Sequence, residues 1–275
     1  MISGVVDLLA CPVCTRPVTV RDGAVRCRSG HSFDIARQGY VNLLTRPPKG
    51  VHADSAEMIA ARDRFLGAGH YRPLADRLAE LATDGAPATI LEAGAGTGYY
   101  LGHVIKALPG GRAVGTDLSP FGCRRIARVD DRVGAVVADT WAGLPLGDGV
   151  LDLIMVVFAP RNPADFARML GPGGRLLIAG AGVDHLGEVR DRLGMIDIRP
   201  GKLDALRESL QDRFEPEHSE ELRSGLRLGP EAVRDLVMMG PNAHHQRGDL
   251  DARIAELPDP APVTLSVELS VFRRR

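Results

Sequence analysis

Between residues 72 and 181 the chain alternates two hydrophobic patterns. PLADRLAELA and YYLGHVIKAL repeat their apolar residues every three or four positions, which predicts helices with one buried face. Between such runs lie TILEAG, RAVGTDLS, GAVVAD, VLDLIMVVFAP and GGRLLIAG, which are apolar almost throughout. These are short, glycine-bounded and rich in valine, leucine and isoleucine, so they read as strands covered on both faces. FGCRRIARV and NPADFARML supply further helices. Strand and helix alternating at this spacing predict βαβ crossovers, hence a parallel sheet with helices on both sides. Beyond residue 183 the pattern loosens. DHLGEVRDRLG, KLDALRESLQDRF and PEAVRDLVMM read as helices, and TLSVELSVF alternates like an amphipathic strand.

The first 71 residues follow another logic. PVTVR and AVRCR are β-like pieces joined through Asp22-Gly23, followed by the run FDIARQGYVNLL. In RPPKGVHADS, Pro47, Pro48 and Gly50 break regular structure and mark a linker. Asp54-x-x-Glu57 then reads as an N-cap pair opening the helix SAEMIAARDRFLGAG, which stops at Gly67 and Gly69. The expected division is a small module over 1–45, a linker and helix over 46–71, and an α/β domain over 72–275. No internal repeat is visible.

Composition narrows the setting. At 275 residues and 44% hydrophobic, the chain can bury one full α/β core beside a small module. No apolar run approaches the roughly 18 residues of a membrane span. The start, MISGVVDLLACPVC, lacks the charged and apolar regions of a signal peptide, so a cytoplasmic setting with reduced thiols is expected. The net charge of −1 argues against a uniformly basic nucleic-acid binder. Yet residues 1–50 hold seven Arg or Lys against three Asp or Glu, so positive charge gathers at one end. The 31 Arg against 3 Lys suggest GC-rich coding more than chemistry.

In LEAGAGTGYY a strand runs into Gly94, Gly96 and Gly98, and a helix follows. Glycines here let the backbone pass close to a ligand, as in dinucleotide sites. Two acids turn the reading from a pyrophosphate. Glu92 stands where it could hold an amine-bearing cation. Asp117, ending the next strand, stands where a carboxylate takes ribose hydroxyls. S-adenosylmethionine has an amine and a ribose but no phosphate. The turn Ala138-Asp139-Thr140 would lie near its adenine. The bland alternative is that the glycines permit tight packing and the acids cap helices.

The other motif is Cys11-x2-Cys14-x12-Cys27-x3-His31, which has the ligand types and spacing of a structural Zn2+ site. Four protein donors fill a tetrahedron and leave no position for water, which excludes chemistry at the metal. A redox CxxC or core thiols are the alternatives, but a thioredoxin-like setting is absent. Cys123, alone in FGCRRIAR, reads as a packing thiol. Arg16, Arg21, Arg26, Arg28 and Arg37 ring the knuckle and suit a phosphate backbone; a solvated face or a dimer contact is the competing reading.

The runs CPVC…C…GHSFDIARQGYVNLL, DSAEM, FLGAGHYRPL, LEAGAGTGYY, FAP, LGPGGRLLI and DHL together resemble the 23S rRNA guanine-N1 methyltransferases of the RlmA group. The resemblance implies an α/β fold, a Rossmann-like seven-stranded S-adenosylmethionine-dependent methyltransferase with an N-terminal zinc-binding module. It carries Cys11, Cys14, Cys27 and His31 over as zinc ligands, and Tyr71, Gly96, Thr97 and His185 as cofactor contacts. It also implies 23S rRNA as partner, with no membrane; a homodimer is compatible with it. Enzymes of this family act on one or the other of two nearby guanines in one rRNA hairpin. The MMGPNAHH run and the lysine-poor composition resemble the second, Gram-positive subtype linked to resistance to tylosin-like macrolides. A small-molecule methyltransferase is the rival reading. N1 of guanine carries a proton that must leave, so a base or a polarised O6 would help. Arg161 or Asn162 in FAPRNP could touch the base, and Asp139 is a candidate base. No catalytic residue is singled out.

Overall fold

The computed structural model describes residues 1–47, 50, 52–197, 201–241, 243 and 249–275. Pro48, Lys49 and Val51 of the linker, and Asn242, His244 and His245 of the MMGPNAHH run, lie outside them.

The chain opens with two short 3-10 turns and a three-stranded antiparallel sheet, β1 (Val18–Arg21), β2 (Ala24–Cys27) and β3 (Ser32–Asp34). Asp22 and Gly23 make the β1–β2 turn with φ of 50° and 72°, the left-handed pair an Asp-Gly hairpin turn requires. β4 (Tyr40–Asn42) then leaves that sheet and joins the large one.

Two helices follow, α1 (Ala56–Gly67) and α2 (Arg72–Thr83). The cap of α1 differs from expectation by one residue. Ser55 accepts from the Met58 amide, while Asp54 turns away to pair with Arg62 at 2.6 Å. A serine oxygen reaches the third residue of the helix as well as a carboxylate does, which frees Asp54 for the arginine.

The α/β alternation continues as expected through β5 (Thr89–Ala93), α3 (Tyr99–Ala107), β6 (Arg112–Asp117), α4 (Pro120–Ile126), β7 (Val133–Val137), β8 (Leu151–Val157), α5 (Pro163–Met169) and β9 (Leu170–Ala181). The tail departs from it. Of DHLGEVRDRLG only α6 (Gly187–Arg190) is helical, and Leu186 before it has φ of 59°. α7 (Lys202–Leu210) stops short of Phe214, where β10 (Phe214–Leu228) begins, a strand the hydrophobic pattern did not disclose. Next come α8 (Pro230–Met238), α9 (Leu250–Ala255) and β11 (Ala261–Arg274).

Among the described residues the main sheet has eight strands, ordered β10-β11-β9-β8-β5-β6-β7-β4. Seven come from the α/β region and the eighth, β4, from the N-terminal segment. The strands from β4 to β9 are parallel, and β11 is inserted antiparallel between β9 and β10. One face is covered by α2, α3, α8 and α9. The other is covered by α5, α7 and the N-terminal segment, whose Val5, Val18 and Val25 share a core with Val114, Val136 and Ile154.

Gly134 marks the tightest point of that second face. A Cβ there would stand 2.2 Å from a methyl of Val5, itself buried. Gly134→Ala is expected to cost about 1–3 kcal/mol, the usual penalty of overpacking. Urea unfolding of the full chain measures this, and an unchanged midpoint would show that the two parts are not packed tightly here.

Candidate functional site

At the carboxyl edge of the sheet, where ligands of open α/β folds bind, lies a cavity of about 830 Å³. Gly94, Gly96 and Thr97 line it from the turn after β5, Phe158 to Arg161 from the turn after β8, and Gly180 and Ala181 from β9. Arg62 of α1 and Met239 after α8 close it from above.

The glycine turn is built for close approach. Gly94 and Gly96 have φ of 72° and 57°. A Cβ on Gly94 would stand 2.5 Å from that of Ala159, and one on Gly96 would meet the Arg62 guanidinium at 2.6 Å. Gly98 does something else. It begins α3 with φ of 77° and packs on Val129, away from the cavity.

Glu92 is buried and lines the cavity, and it accepts the Leu101 amide at 3.0 Å, fixing the first turn of α3. Burial pushes its pKa up to about 8, because the low-dielectric surroundings disfavour the charged form. Asp117 is also raised by burial, but its carboxylate accepts from Gly96 and Ser119 amides, both at 2.8 Å. It thus braces the glycine turn from below and does not line the cavity. Tyr71 and His185 do line it, with ring centroids 6.2 Å apart and nearly perpendicular. The Tyr71 hydroxyl is buried with no hydrogen-bond partner among the described residues. An orphaned hydroxyl, a buried carboxyl group and a backbone cradle that tolerates no Cβ together fit S-adenosylmethionine.

Asp139 is drawn off into a turn, accepting the Trp141 amide at 2.9 Å, and does not line the cavity. Asn162 caps α5, accepting from Asp165 and donating to the Thr140 carbonyl. Arg62, Trp141 and Met239 line the site without having been singled out from the sequence. The signal for Arg62 was the DSAEM helix itself, whose lead to the cavity only the tertiary fold supplies.

The second constellation lies at the other end. Cys11, Cys14, Cys27 and His31 bring their donor atoms within 4.8 Å of one another. The Cys14 and Cys27 sulfurs are 3.7 Å apart, and the Cys11 and Cys27 sulfurs lie 3.5 and 3.3 Å from His31 Nδ1. A tetrahedron with zinc–sulfur bonds of about 2.3 Å has edges of about 3.8 Å, so the donors fit the ion. The chain turns back after each pair: the Thr15 amide donates to the Cys11 carbonyl, and the Gly30 amide to the Cys27 carbonyl. The Arg16 amide beside Cys14 holds its thiol down to about 6, toward the thiolate a metal needs.

A mainly parallel sheet with a glycine cradle at its carboxyl edge and a closed Cys3His site ahead of it defines a Rossmann-like methyltransferase with a zinc ribbon. Residues 9–49 match the family model of the RlmA N-terminal zinc ribbon. A 23S rRNA (guanine(748)-N(1))-methyltransferase of Streptomyces fradiae is 45% identical over 99% of both chains. A protein of Micromonospora griseorubida, provisionally named for guanine-N1 methylation of 23S rRNA, is 43% identical over 96% of this chain and 97% of its own. Among solved structures, one provisionally described as a methyltransferase from Bacillus halodurans has a TM-score of 0.51 at 15% identity, covering 72% of this chain and 97% of that one. That likeness concerns the fold alone. The chain belongs to the family of 23S rRNA (guanine-N1)-methyltransferases.

Two tests address the site. Stripping the metal with a strong chelator should lower the Tm of the full chain by about 5 °C or more, with recovery on adding Zn2+. An unmoved Tm would remove the structural role of the cluster. For Glu92, the folded pKa of about 8 lies above the unfolded carboxyl value of 4.5. Its contribution to stability is therefore full below pH 4.5 and lost as pH rises toward 8. Glu92→Gln cannot ionise, so its Tm should gain on wild type by a few degrees between about pH 5 and 8. A difference independent of pH would mean that the carboxyl is solvated.

Proposed function

We propose that this protein methylates N1 of one guanine in 23S rRNA, guanine 748, with S-adenosylmethionine as donor. The observation that carries this reading is the end-to-end match, 99% of both chains, to an enzyme of that name. Zn2+ is a structural ion here, held by Cys11, Cys14, Cys27 and His31. When bound, the donor supplies an electrophilic methyl group on a sulfonium; the chain supplies its placement. Gly94, Gly96 and Thr97 cradle it, with Glu92 beside its ammonium and Tyr71 and His185 flanking it. Asp117, expected to take the ribose hydroxyls, instead acts beneath Gly96, where its carboxylate holds the cradle by accepting from the Gly96 and Ser119 amides. Holding N1 in line with the methyl carbon provides most of the acceleration, since orientation alone is worth several kcal/mol.

The zinc ribbon is the part that meets the rRNA backbone. Arg16, Arg21, Arg28 and Arg37 are exposed and without an ion-pair partner among the described residues, and Arg26 has only a loose 3.6 Å contact with Asp22. Elsewhere, Arg64, Arg77, Arg112, Arg132 and Arg168 are each bound to a carboxylate within 3 Å. Guanidinium groups left unpaired on one face suit phosphate oxygens, which they bind two at a time. A target paired in a hairpin must be unstacked to reach the cavity. This reading places the protein in the cytoplasm with the ribosome, and tylosin-type resistance is its physiological counterpart. No described helix is long and apolar enough to cross a membrane.

Incubation of the full chain with methyl-labelled S-adenosylmethionine and 23S rRNA should label the RNA. Reverse transcription should then stop beside guanine 748, because N1 methylation blocks pairing. Label confined to small metabolites, or a stop elsewhere, would overturn the assignment.

A further inference from the structure

Three arginines line the cavity, and two are tied down. Arg62 is held by Asp54 and the Met239 carbonyl; Arg190 makes no hydrogen bond through its Nε among the described residues, but it is held by an ion pair with Asp197 and by donating to the His185 carbonyl. Arg161 is not. Its Nε is buried without a hydrogen-bond partner among the described residues. Burial lowers its pKa, and no carboxylate among the described residues offsets the effect. A buried donor left unsatisfied costs roughly 1–3 kcal/mol, and more when charged. Such a group is explained most simply by an acceptor that arrives with the substrate.

Position tells donor from acceptor. The cradle of the methyl donor lies in the β5–β6–β7 half with the glycine turn, and the rings of Tyr71 and His185 that flank it adjoin Phe158. Arg161 follows β8 and reaches the other way, its Nη2 3.6 Å from where a Cβ on Gly180 of β9 would stand. Phe158 stands at the same edge with φ of 52°, a conformation that costs a phenylalanine of order 1–3 kcal/mol. Phe158 is 42% exposed and lines the cavity, its ring 5.5 Å from that of His185, when most phenylalanines of this chain are buried. A flat apolar ring beside a cationic fork suits a purine with an acceptor on its edge.

We propose that Arg161 is a catalytic residue, donating to O6 of the target guanine and thereby easing loss of the N1 proton, while Phe158 supports the base. This rests on the reading that guanine N1 is the acceptor. As N1–H ionises, negative charge spreads over N1 and O6, and a fixed guanidinium at O6 stabilises it. The proton passes to solvent water. The N1 lone pair forms the new N–CH3 bond while the S–CH3 pair returns to sulfur. A cationic sulfonium and a neutral guanine thus give a neutral thioether, N1-methylguanine and a proton. Arg161 stays charged throughout, as guanidinium groups do in proteins. Its neighbour Asn162 is committed to capping α5 and is not available for this.

The test is single-turnover methylation by the full chain at saturating S-adenosylmethionine, with wild type, Arg161→Gln and Arg161→Lys, across pH. The Gln variant should lose about 100-fold in rate, as enzymes do on losing one charge-stabilising donor. Its rate should keep rising with pH beyond the point where wild type levels off, while its Kd for the donor is unchanged. A synthetic hairpin with 6-thioguanine at the target has an intrinsically more acidic N1–H. It should recover part of the Gln variant's rate and give wild type little. The Lys variant keeps the charge and should fall between; it also serves if the Gln variant does not fold. An unchanged pH profile without recovery overturns the assignment. Weaker donor binding in parallel with the rate would instead place Arg161 on the donor's carboxylate, and also overturns it. A wild type that leaves rRNA unlabelled overturns the acceptor reading together with this one, whereas an active wild type isolates the failure to Arg161.

Discussion

Three parallel rungs, Tyr40 with Ala135, Val41 with Val136 and Asn42 with Val137, govern how the two ends of this molecule relate. A segment as small as the zinc ribbon cannot bury enough apolar surface to hold a shape alone, which is why it carries a metal. The metal fixes the turns around the cysteines but not their orientation to anything else. The rungs do that, because a main-chain ladder has one register and one direction. Once they form, Val5 falls onto Gly134, and the valines of β1 and β2 merge into the core beneath the main sheet. The arginine face then becomes a rigid extension of the sheet that holds the cavity.

Charge follows the same division. A net charge near zero hid two populations of arginine that the sequence cannot separate. In the α/β part most arginines are bridging groups: Arg77 ties α2 to Glu220 of β10, and Arg64 ties α1 to Asp235 of α8. These two pairs are part-buried, and the cost of desolvating their charges leaves each adding only modestly to stability. They do, however, neutralise the surface and leave the ribbon as a region with unspent positive charge. Under the proposed function this is the end that meets the rRNA backbone.

How much could be read in advance depended on range. The glycine turn and the strands from β5 to β9 were legible because each is encoded within about ten consecutive residues, and the zinc quartet because its ligand types and spacing stand out within Cys11 to His31. The strand β10 was not. Its sequence, FEPEHSEELRSGLRL, is charged on its solvent face because it is an edge strand, and edges are kept polar to prevent further pairing. That same polarity erased the apolar signal. The helix expected over residues 184–194 shrank to a single turn, since Leu186 takes a left-handed conformation to donate its amide to Thr264 of β11. A tertiary hydrogen bond outweighed local propensity there. The place of Arg62 was invisible for a related reason, and Arg161, legible as a possible contact to the base, could not be told from Asn162: whether a side chain is already committed depends on residues far away in the chain.

The acids of the site show why those arginines matter. Glu92 and Asp117 are both raised chiefly by burial, and the charge of Asp117 raises Glu92 further. Arg62, pinned by Asp54, is the cation that offsets this on the Asp117 side, and Glu92 has no such partner among the described residues. Under the proposed reaction a cationic donor fills that gap, so the cradle is electrostatically complete only when loaded. Transfer then removes the sulfonium charge and leaves the acids less well compensated. At the opposite wall, Arg161 meets charge that develops on the base in the same step. The two walls thus carry complementary demands, one for a cation and one for an anion. Methyl transfer to an ionising ring nitrogen is a reaction that meets both at once.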